Sequence, residues 1–457
     1  MDNVIIDRAD NVAVSLKTGH KTALTDIAKG QAVIKYGYPI GLASKNIKKD
    51  EHVHIHNLVT GLGEVLDYEY KPDFTQLNLT EPATIEAYVR SSGEIGIRND
   101  IWIINTVGCV NKTAEKLAAL TGAFNFSHPY GCSQLGDDQR ITQLILKGLI
   151  KHPNAGGVLV LGLGCENNNI EEMKKFLGTY DSERVRFLTS QECVDETEEG
   201  IRIIEELKKI ASRDKRQKVG ADRLKIGLKC GGSDGLSGIT ANPVAGHMTD
   251  RLCAMGASAL LTEVPEMFGA EELLFKRCVN KAVFDKAAAM VNNYKNYFLN
   301  HGQPIYENPS PGNKEGGIST LEEKSLGCIQ KGGKVPIVDV LDYGDTLNLP
   351  GLSLLNGPGN DIVSITNLTA AGCHLIVFTT GRGTPLGAPV PTLKVSSNSD
   401  IALQKPHWID FDAFGNDNEK KAEELTELVL ETACGKNTKN EENGYREIAI
   451  FKDGLTL

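Results

Sequence analysis

Between residues 96 and 230 short apolar runs alternate with segments of helical period, and this alternation constrains the fold more than any other feature of the chain. Residues 101–107 precede a helix-like segment at 112–120, residues 158–162 precede one at 170–177, and residues 185–188 precede one at 196–211. In the last of these Ile201, Ile204, Leu207 and Ile210 recur at about helical spacing. Buried strands separated by helices form βαβ units, so a mostly parallel, Rossmann-like α/β sheet is expected.

The first stretch reads differently. Val12, Val14 and Leu16 alternate, Gly30 and Gly37 punctuate, and Val33-Ile34 and Pro39-Ile40 suggest further short strands, so residues 1–70 form a small β-rich domain. A polar, proline-bearing linker spans 71–95. At 457 residues the chain exceeds what one core usually holds, and the remainder divides into a first α/β domain at 96–240 and a second at 241–457. The formal net charge of -10 leaves no basic footprint, which argues against nucleic acid and anionic membrane as partners. No apolar run approaches the ~20 residues a membrane span needs. Ten cysteines without a C-x-x-C pair read as reduced thiols, and the cytoplasm is the expected compartment.

The densest chemistry lies in residues 224–243, LKIGLKCGGSDGLSGITANP. A strand ends at Cys230 and opens into a glycine-rich turn carrying Ser233 and Asp234, in the position where open α/β sheets bind ligands. Glu263 and Glu266 follow another strand and suit metal binding or proton transfer; capping a helix start is the alternative. Residues 308–317, NPSPGNKEGG, are too rich in turn formers for regular structure and suit a closing loop. Lys324 is either a solvated helical residue or a carboxylate-binding or basic lysine. Arg382, set between glycines after an apolar strand, suits the two oxygens of a carboxylate. Asn360 lies in a second turn, Gly357-Pro358-Gly359-Asn360-Asp361.

In the small domain, Glu51-His52-Val53-His54-Ile55-His56-Asn57 reads as a strand with Val53 and Ile55 on one face and three imidazoles on the other. His54 with His56, or His52 with His54, is the candidate metal-binding pair, and His20 lies in a loop that could join it. Cys109, Cys165 and Cys230 each stand just beyond a strand, with Cys132 as a fourth thiol, so an iron–sulfur cluster is an alternative to small residues at crowded turns. Gly162-Leu163-Gly164 starts a dinucleotide fingerprint, but Asn167 replaces the third glycine and Glu166 would face the pyrophosphate; no P-loop occurs.

Taken together, GHKTALTDIAKG, KYGYPIG and EHVHIHN resemble the small SAF-type domain of the altronate and galactarate dehydratase family. HPYGCSQLGDD, CGGSDGLSGITANP, LTEVPEMFGAE, YENPSPGNKEGGI, KSLGCIQK, PGND and FTTGRGTP resemble its large region, over nearly the whole chain. HWIDFDA at 407–413 is closer to the altronate branch. The resemblance implies a hydro-lyase converting D-altronate to 2-dehydro-3-deoxy-D-gluconate in hexuronate catabolism, with galactarate or another sugar acid, or sugar-acid binding without turnover, as alternatives. It implies a divalent metal, iron(II) before manganese(II), with an iron–sulfur cluster less favoured. The roles expected on this footing are His20, His54, Asp234, Glu263 and Lys324 in catalysis, Ser233, Asn360 and Arg382 on the substrate, and His54, His56 and Glu266 on the metal. A homodimer is expected for a sheet protein of this size.

Overall fold

The protein is described by a computed structural model, which covers residues 3–63 and 65–454. Among these residues the N-terminal part forms two small antiparallel sheets. One holds Asn3–Val4, Val12–Ser15, Lys21–Ala23 and His52–Val53, the other Ala32–Lys35, Tyr38–Ala43 and Leu58–Val59. Val12, Ala23, Val33, Ile40, Ile47, Val53 and Leu58 fill the space between them.

Residues 65–83, without regular structure, lead to Thr84–Val89, which pairs antiparallel with Arg216–Gly220. Next comes a parallel sheet ordered Phe124–Phe126, Asp100–Asn105, Ala155–Gly162, Val185–Thr189. The larger sheet is also parallel, ordered Ile337–Leu341, Gly351–Leu355, Ser258–Leu261, Lys225–Cys230, Leu375–Thr380, Thr392–Ser396, Phe411–Asp412. The α/β class with a β-rich N-terminus and parallel sheets is therefore observed. Lys225–Cys230, which falls within 96–240 by order in the chain, is hydrogen-bonded between Ser258–Leu261 and Leu375–Thr380 at the middle of the larger sheet. Helices on both faces bury it from Ile226 to Cys230. No helix among the described residues is long and apolar enough to cross a membrane.

Two local expectations are corrected. The histidine segment keeps strand geometry only over His52–Val53, because Asn57 accepts from the His54 N–H at 2.9 Å and donates to the His52 carbonyl at 2.8 Å. That side chain closes a turn in place of the ladder. Val53 is buried while Ile55 is exposed, so the two share no apolar face. Within 308–317, Pro311–Glu315 is a short helix started by a capping box between Ser310 and Asn313.

One buried imidazole makes acid stability testable. His152 stacks on Trp102 at 5.3 Å, donates from Nε2 to the Cys373 carbonyl at 3.2 Å and accepts from the Asn154 N–H at 3.1 Å. Burial lowers its pKa to about 3. A folded pKa below the unfolded one means that the unfolded chain binds the extra proton, so this contribution to stability is complete above about pH 6.5 and is lost as the pH falls toward about 3. Melting temperature should drop over that window, and His152→Gln should flatten the drop. An equally steep drop in the variant would remove His152 from the account.

Candidate active site

The carboxyl ends of the three central strands of the larger sheet meet at one place. Cys230 ends Lys225–Cys230, Glu263 and Glu266 follow Ser258–Leu261, and Arg382 follows Leu375–Thr380. The turn at 358–361 and the helix Leu321–Cys328 close around them. Among the described residues the group with metal-ligand proximity is Cys230, Glu266 and Cys328, all buried. Glu266 Oε2 lies 3.2 Å from the Cys230 Sγ and 3.1 Å from the Cys328 Sγ, and the two sulfurs are 3.3 Å apart. Glu266 Oε1 pairs with Lys324 Nζ at 2.9 Å. Two sulfurs and a carboxylate are a donor set for a borderline or soft divalent ion such as iron(II) or zinc.

Cations dominate the surroundings. Glu263 accepts from Lys229, from Lys331 at 3.1 Å and from the Cys230 N–H at 3.1 Å, and Lys229 also pairs with Asp361 at 2.8 Å. Burial alone would raise the Glu266 carboxyl, but the Lys324, Lys229 and Lys331 ammonium groups outweigh it and hold it well below the carboxylate range. Lys324 is shifted the other way: burial would lower it, yet Glu266 raises it above its ordinary value, so the pair stays ionised. Of the two readings of Lys324, the solvated one is excluded: it is 8 % exposed and also donates to Asn308 at 3.0 Å and Asn313 at 3.2 Å.

The glycine-rich turn holds this pocket to its neighbours. Asp234 Oδ1 accepts from the Leu236 and Ser237 N–H groups and the Ser237 and Ser397 hydroxyls, and Oδ2 from Asn398 at 3.0 Å. Its carboxylate is occupied in fastening the loop. Ser233 donates nothing: its buried hydroxyl has no partner among the described residues, while its carbonyl accepts from Asn313 at 2.8 Å. The Gly381 and Arg382 N–H groups bond the Gly232 carbonyl, and the half-exposed Arg382 guanidinium contacts the Gly312 carbonyl at 3.1 Å and Glu315 at 2.9 Å. Asn360 caps the helix Asp361–Ala370.

The small domain is docked on the same loops. A Cβ on Gly19 would lie 3.1 Å from the Gly235 Cα and from the Gly316 carbonyl, so only glycine lets His20 approach there. Lys21 reaches the Gly317 carbonyl at 2.7 Å, Ser319 at 2.9 Å and Glu323 at 2.8 Å, and Lys35 takes the other Glu323 oxygen at 2.8 Å. Beside them the imidazoles cluster: His20 Nδ1 lies 3.1 Å from His52 Nε2, His54 Nδ1 is 2.8 Å from the Ser319 hydroxyl, and His56 stacks on His52 at 5.5 Å. Burial and the neighbouring Lys21 ammonium lower His54 to about 4, so at neutral pH its ring is an unprotonated base.

The expected residues are thus partly assembled. Glu266 has thiols for neighbours, and no contact among the described residues joins it to His54 or His56. Sequence alone does not single out Cys328, since a lone cysteine at the end of a helix carries no spacing signal; the KSLGCIQK block containing it is the available hint. The four thiols separate: Cys230 is buried here, whereas Cys109, Cys132 and Cys165 are exposed on the smaller sheet. There Glu166 accepts from the Leu163 and Gly164 N–H groups at 3.0 and 2.6 Å, so these two backbone donors of the Gly-x-Gly turn are occupied by the chain's own carboxylate.

Comparison with known proteins agrees with this layout. Residues 221–456 match the family described as D-galactarate/Altronate dehydratase, C-terminal; residues 87–212 match D-galactarate dehydratase/Altronate hydrolase, second domain; residues 1–61 match the Altronate/galactarate dehydratase SAF domain. The chain is 51% identical over 468 residues to an altronate dehydratase of Escherichia coli (strain K12), covering 98% of this chain and 94% of that protein. It is 50% identical over 459 residues to an altronate dehydratase of Bacillus subtilis (strain 168), covering 97% and 92%. A galactarate dehydratase (L-threo-forming) of Escherichia coli (strain K12) is 32% identical over 471 residues, covering 95% and 89%.

Proposed function

Because this chain belongs to the D-galactarate/altronate dehydratase family, we propose that it is an altronate dehydratase, a hydro-lyase that removes water from D-altronate to give 2-dehydro-3-deoxy-D-gluconate. The observation that carries the choice of substrate is identity of about half over nearly full length to two altronate dehydratases, against 32% to the galactarate enzyme. We assign the reaction to the cytoplasm, in keeping with the unpaired thiols.

The residues divide the work as follows. Lys324 and Arg382 hold the substrate carboxylate, Lys324 from the buried floor and Arg382 from the rim, with Ser233 and Asn360 offering hydrogen bonds to hydroxyls. His54, neutral and supported by Ser319, takes the proton next to the carboxylate, and His20 relays it to the C3 hydroxyl, so that the C3–O bond breaks and the hydroxyl leaves as water. The enediolate that forms carries negative charge, which the Lys324 ammonium is placed to oppose. Cys230, Glu266 and Cys328 would hold the divalent ion, iron(II) in this reading, which supplies Lewis acidity when bound. Glu263 and Asp234 position: one anchors Lys229 and Lys331, the other the glycine-rich turn.

An anaerobic assay of 2-keto-3-deoxy acid formation from D-altronate and D-galactarate, with and without iron(II), tests the function. Turnover of altronate is expected, and product from galactarate alone would overturn the substrate assignment. His54→Ala should lower kcat by about 10²–10⁴ with little change in KM. The acid limb of the wild-type profile should fall near pH 4, not 6.5, since burial keeps His54 unprotonated down to that value. Full activity in the variant would remove the histidine cluster from the chemistry.

A further inference from the structure

The three exposed thiols of the smaller sheet remain unused by this mechanism. Each follows a glycine: Gly108-Cys109, Gly131-Cys132 and Gly164-Cys165. Each lies past the carboxyl end of one of three adjacent parallel strands, Asp100–Asn105, Phe124–Phe126 and Ala155–Gly162. Gly131 and Gly164 take φ of +102° and +132°, which an L side chain rarely adopts, and a Cβ on Gly108 would come within 2.9 Å of the His128 carbonyl. These turns bring the next residue's thiol out to the rim.

Every pair of the three loops is tied together. The Gly108 N–H donates to the Tyr130 carbonyl at 2.9 Å, joining the first loop to the second. The Asn168 N–H donates to the Gly131 carbonyl at 3.0 Å and the Ser133 N–H to Asn167 Oδ1 at 2.9 Å, joining the second to the third. Asn168 Nδ2 donates to the Thr106 carbonyl at 3.1 Å and the Thr106 hydroxyl to Glu166 at 2.6 Å, joining the third to the first. Glu166, Asn168, Thr106 and His128, which lie in or beside these loops, are all buried. Such a network of satisfied buried polar groups holds the three loops rigid, and exposed free thiols are otherwise disfavoured on a protein surface. One of them already accepts a hydrogen bond, from Gln191 Nε2 to Cys165 Sγ at 3.6 Å, while the Cys132 thiol donates to Asn167 Oδ1 at 3.5 Å.

We infer that Cys109, Cys132 and Cys165 form a three-thiolate site for a four-iron, four-sulfide cluster. Cluster binding takes thiolates carried on separate loops of a rigid frame, with outer hydrogen bonds to sulfur. Cys230 is excluded as a fourth ligand, being buried against Cys328 and Glu266 in the other sheet. Three thiolates leave one iron free for an oxygen ligand such as a carboxylate or hydroxyl. Tyr130, two residues before Cys132, packs against the apolar cluster that also holds Leu341 of the larger sheet and lies under the Lys452 ammonium.

The test is iron and acid-labile sulfide content of the full chain, purified and reconstituted without oxygen. About four of each per chain are expected, with visible absorption that air bleaches. Cys132→Ser and Cys165→Ser should abolish the sulfide while leaving circular dichroism and melting unchanged, and Cys230→Ser should keep it. Iron without sulfide, zinc in its place, or sulfide that survives in the variant lacking all three thiols would overturn the inference. Labile sulfide does not depend on turnover: altronate dehydration without it sinks only the cluster, and a cluster without dehydration sinks only the proposed function.

Discussion

Lys324→Met should lower kcat/KM on D-altronate by about 10²–10³, the range for losing a charge-stabilising donor in a dry site, while leaving the fold intact. The ammonium is placed to oppose enediolate charge from a buried position, and it pairs with Glu266 Oε1 while donating to Asn308 and Asn313. Lys229 and Lys331 remain close enough to keep Glu266 ionised, so the loss should appear in rate more than in stability. Lys324→Arg should not restore activity, because a planar fork does not replace a point charge bonded in three directions. A variant with near wild-type kcat/KM would take Lys324 out of the reaction and leave it as a buried counter-ion.

Glu323→Ala should destabilise the seat of the small domain by about 3–5 kcal/mol, the cost of breaking a buried ion pair from one side. Lys21 and Lys35 are fully buried, and Glu323 is the carboxylate between them. With Lys21 and Lys35 adjacent, Glu323 is held at about 2 despite its burial, and removing it leaves two ammonium groups facing each other without an anion. Protease should then cut the 71–83 segment faster, and activity should fall because His20 and His54 lose their register on Ser319 and the glycine-rich turn. Replacing all three by apolar residues of similar volume should recover much of the stability. Unchanged melting and cleavage in Glu323→Ala would mean that the domain is held mainly by its apolar contacts.

Much of this was legible in the residues. Periods of two and 3.6 placed the strand–helix pairs beginning near 101, 158 and 185 within about three residues, since a strand buried on both faces and an amphipathic helix each leave a local mark, but they did not announce the helix Asp137–Ile150 or the strands Phe124–Phe126 and Arg216–Gly220. Glycines beside Cys230 and Arg382 announced turns. The histidine segment departs from the expected strand for a local reason: Asn57 bonds His54 and His52, and a side chain that competes with the ladder is not visible in a hydrophobic pattern.

By itself, then, the sequence determined the α/β class, the β-rich front, the identity of the glycine turns and the blocks of residues that carry chemistry. Tertiary structure alone decided which of these meet. Glu266 joins Cys230 and Cys328 in place of histidines, and Glu323 and Lys324, neighbours on one helix, face two different partners, the small domain's lysines and the buried carboxylate. The physical reason is strand order. Hydrogen bonding inserts Lys225–Cys230 between strands that begin at residues 258 and 375, and no local period encodes a pairing over that distance.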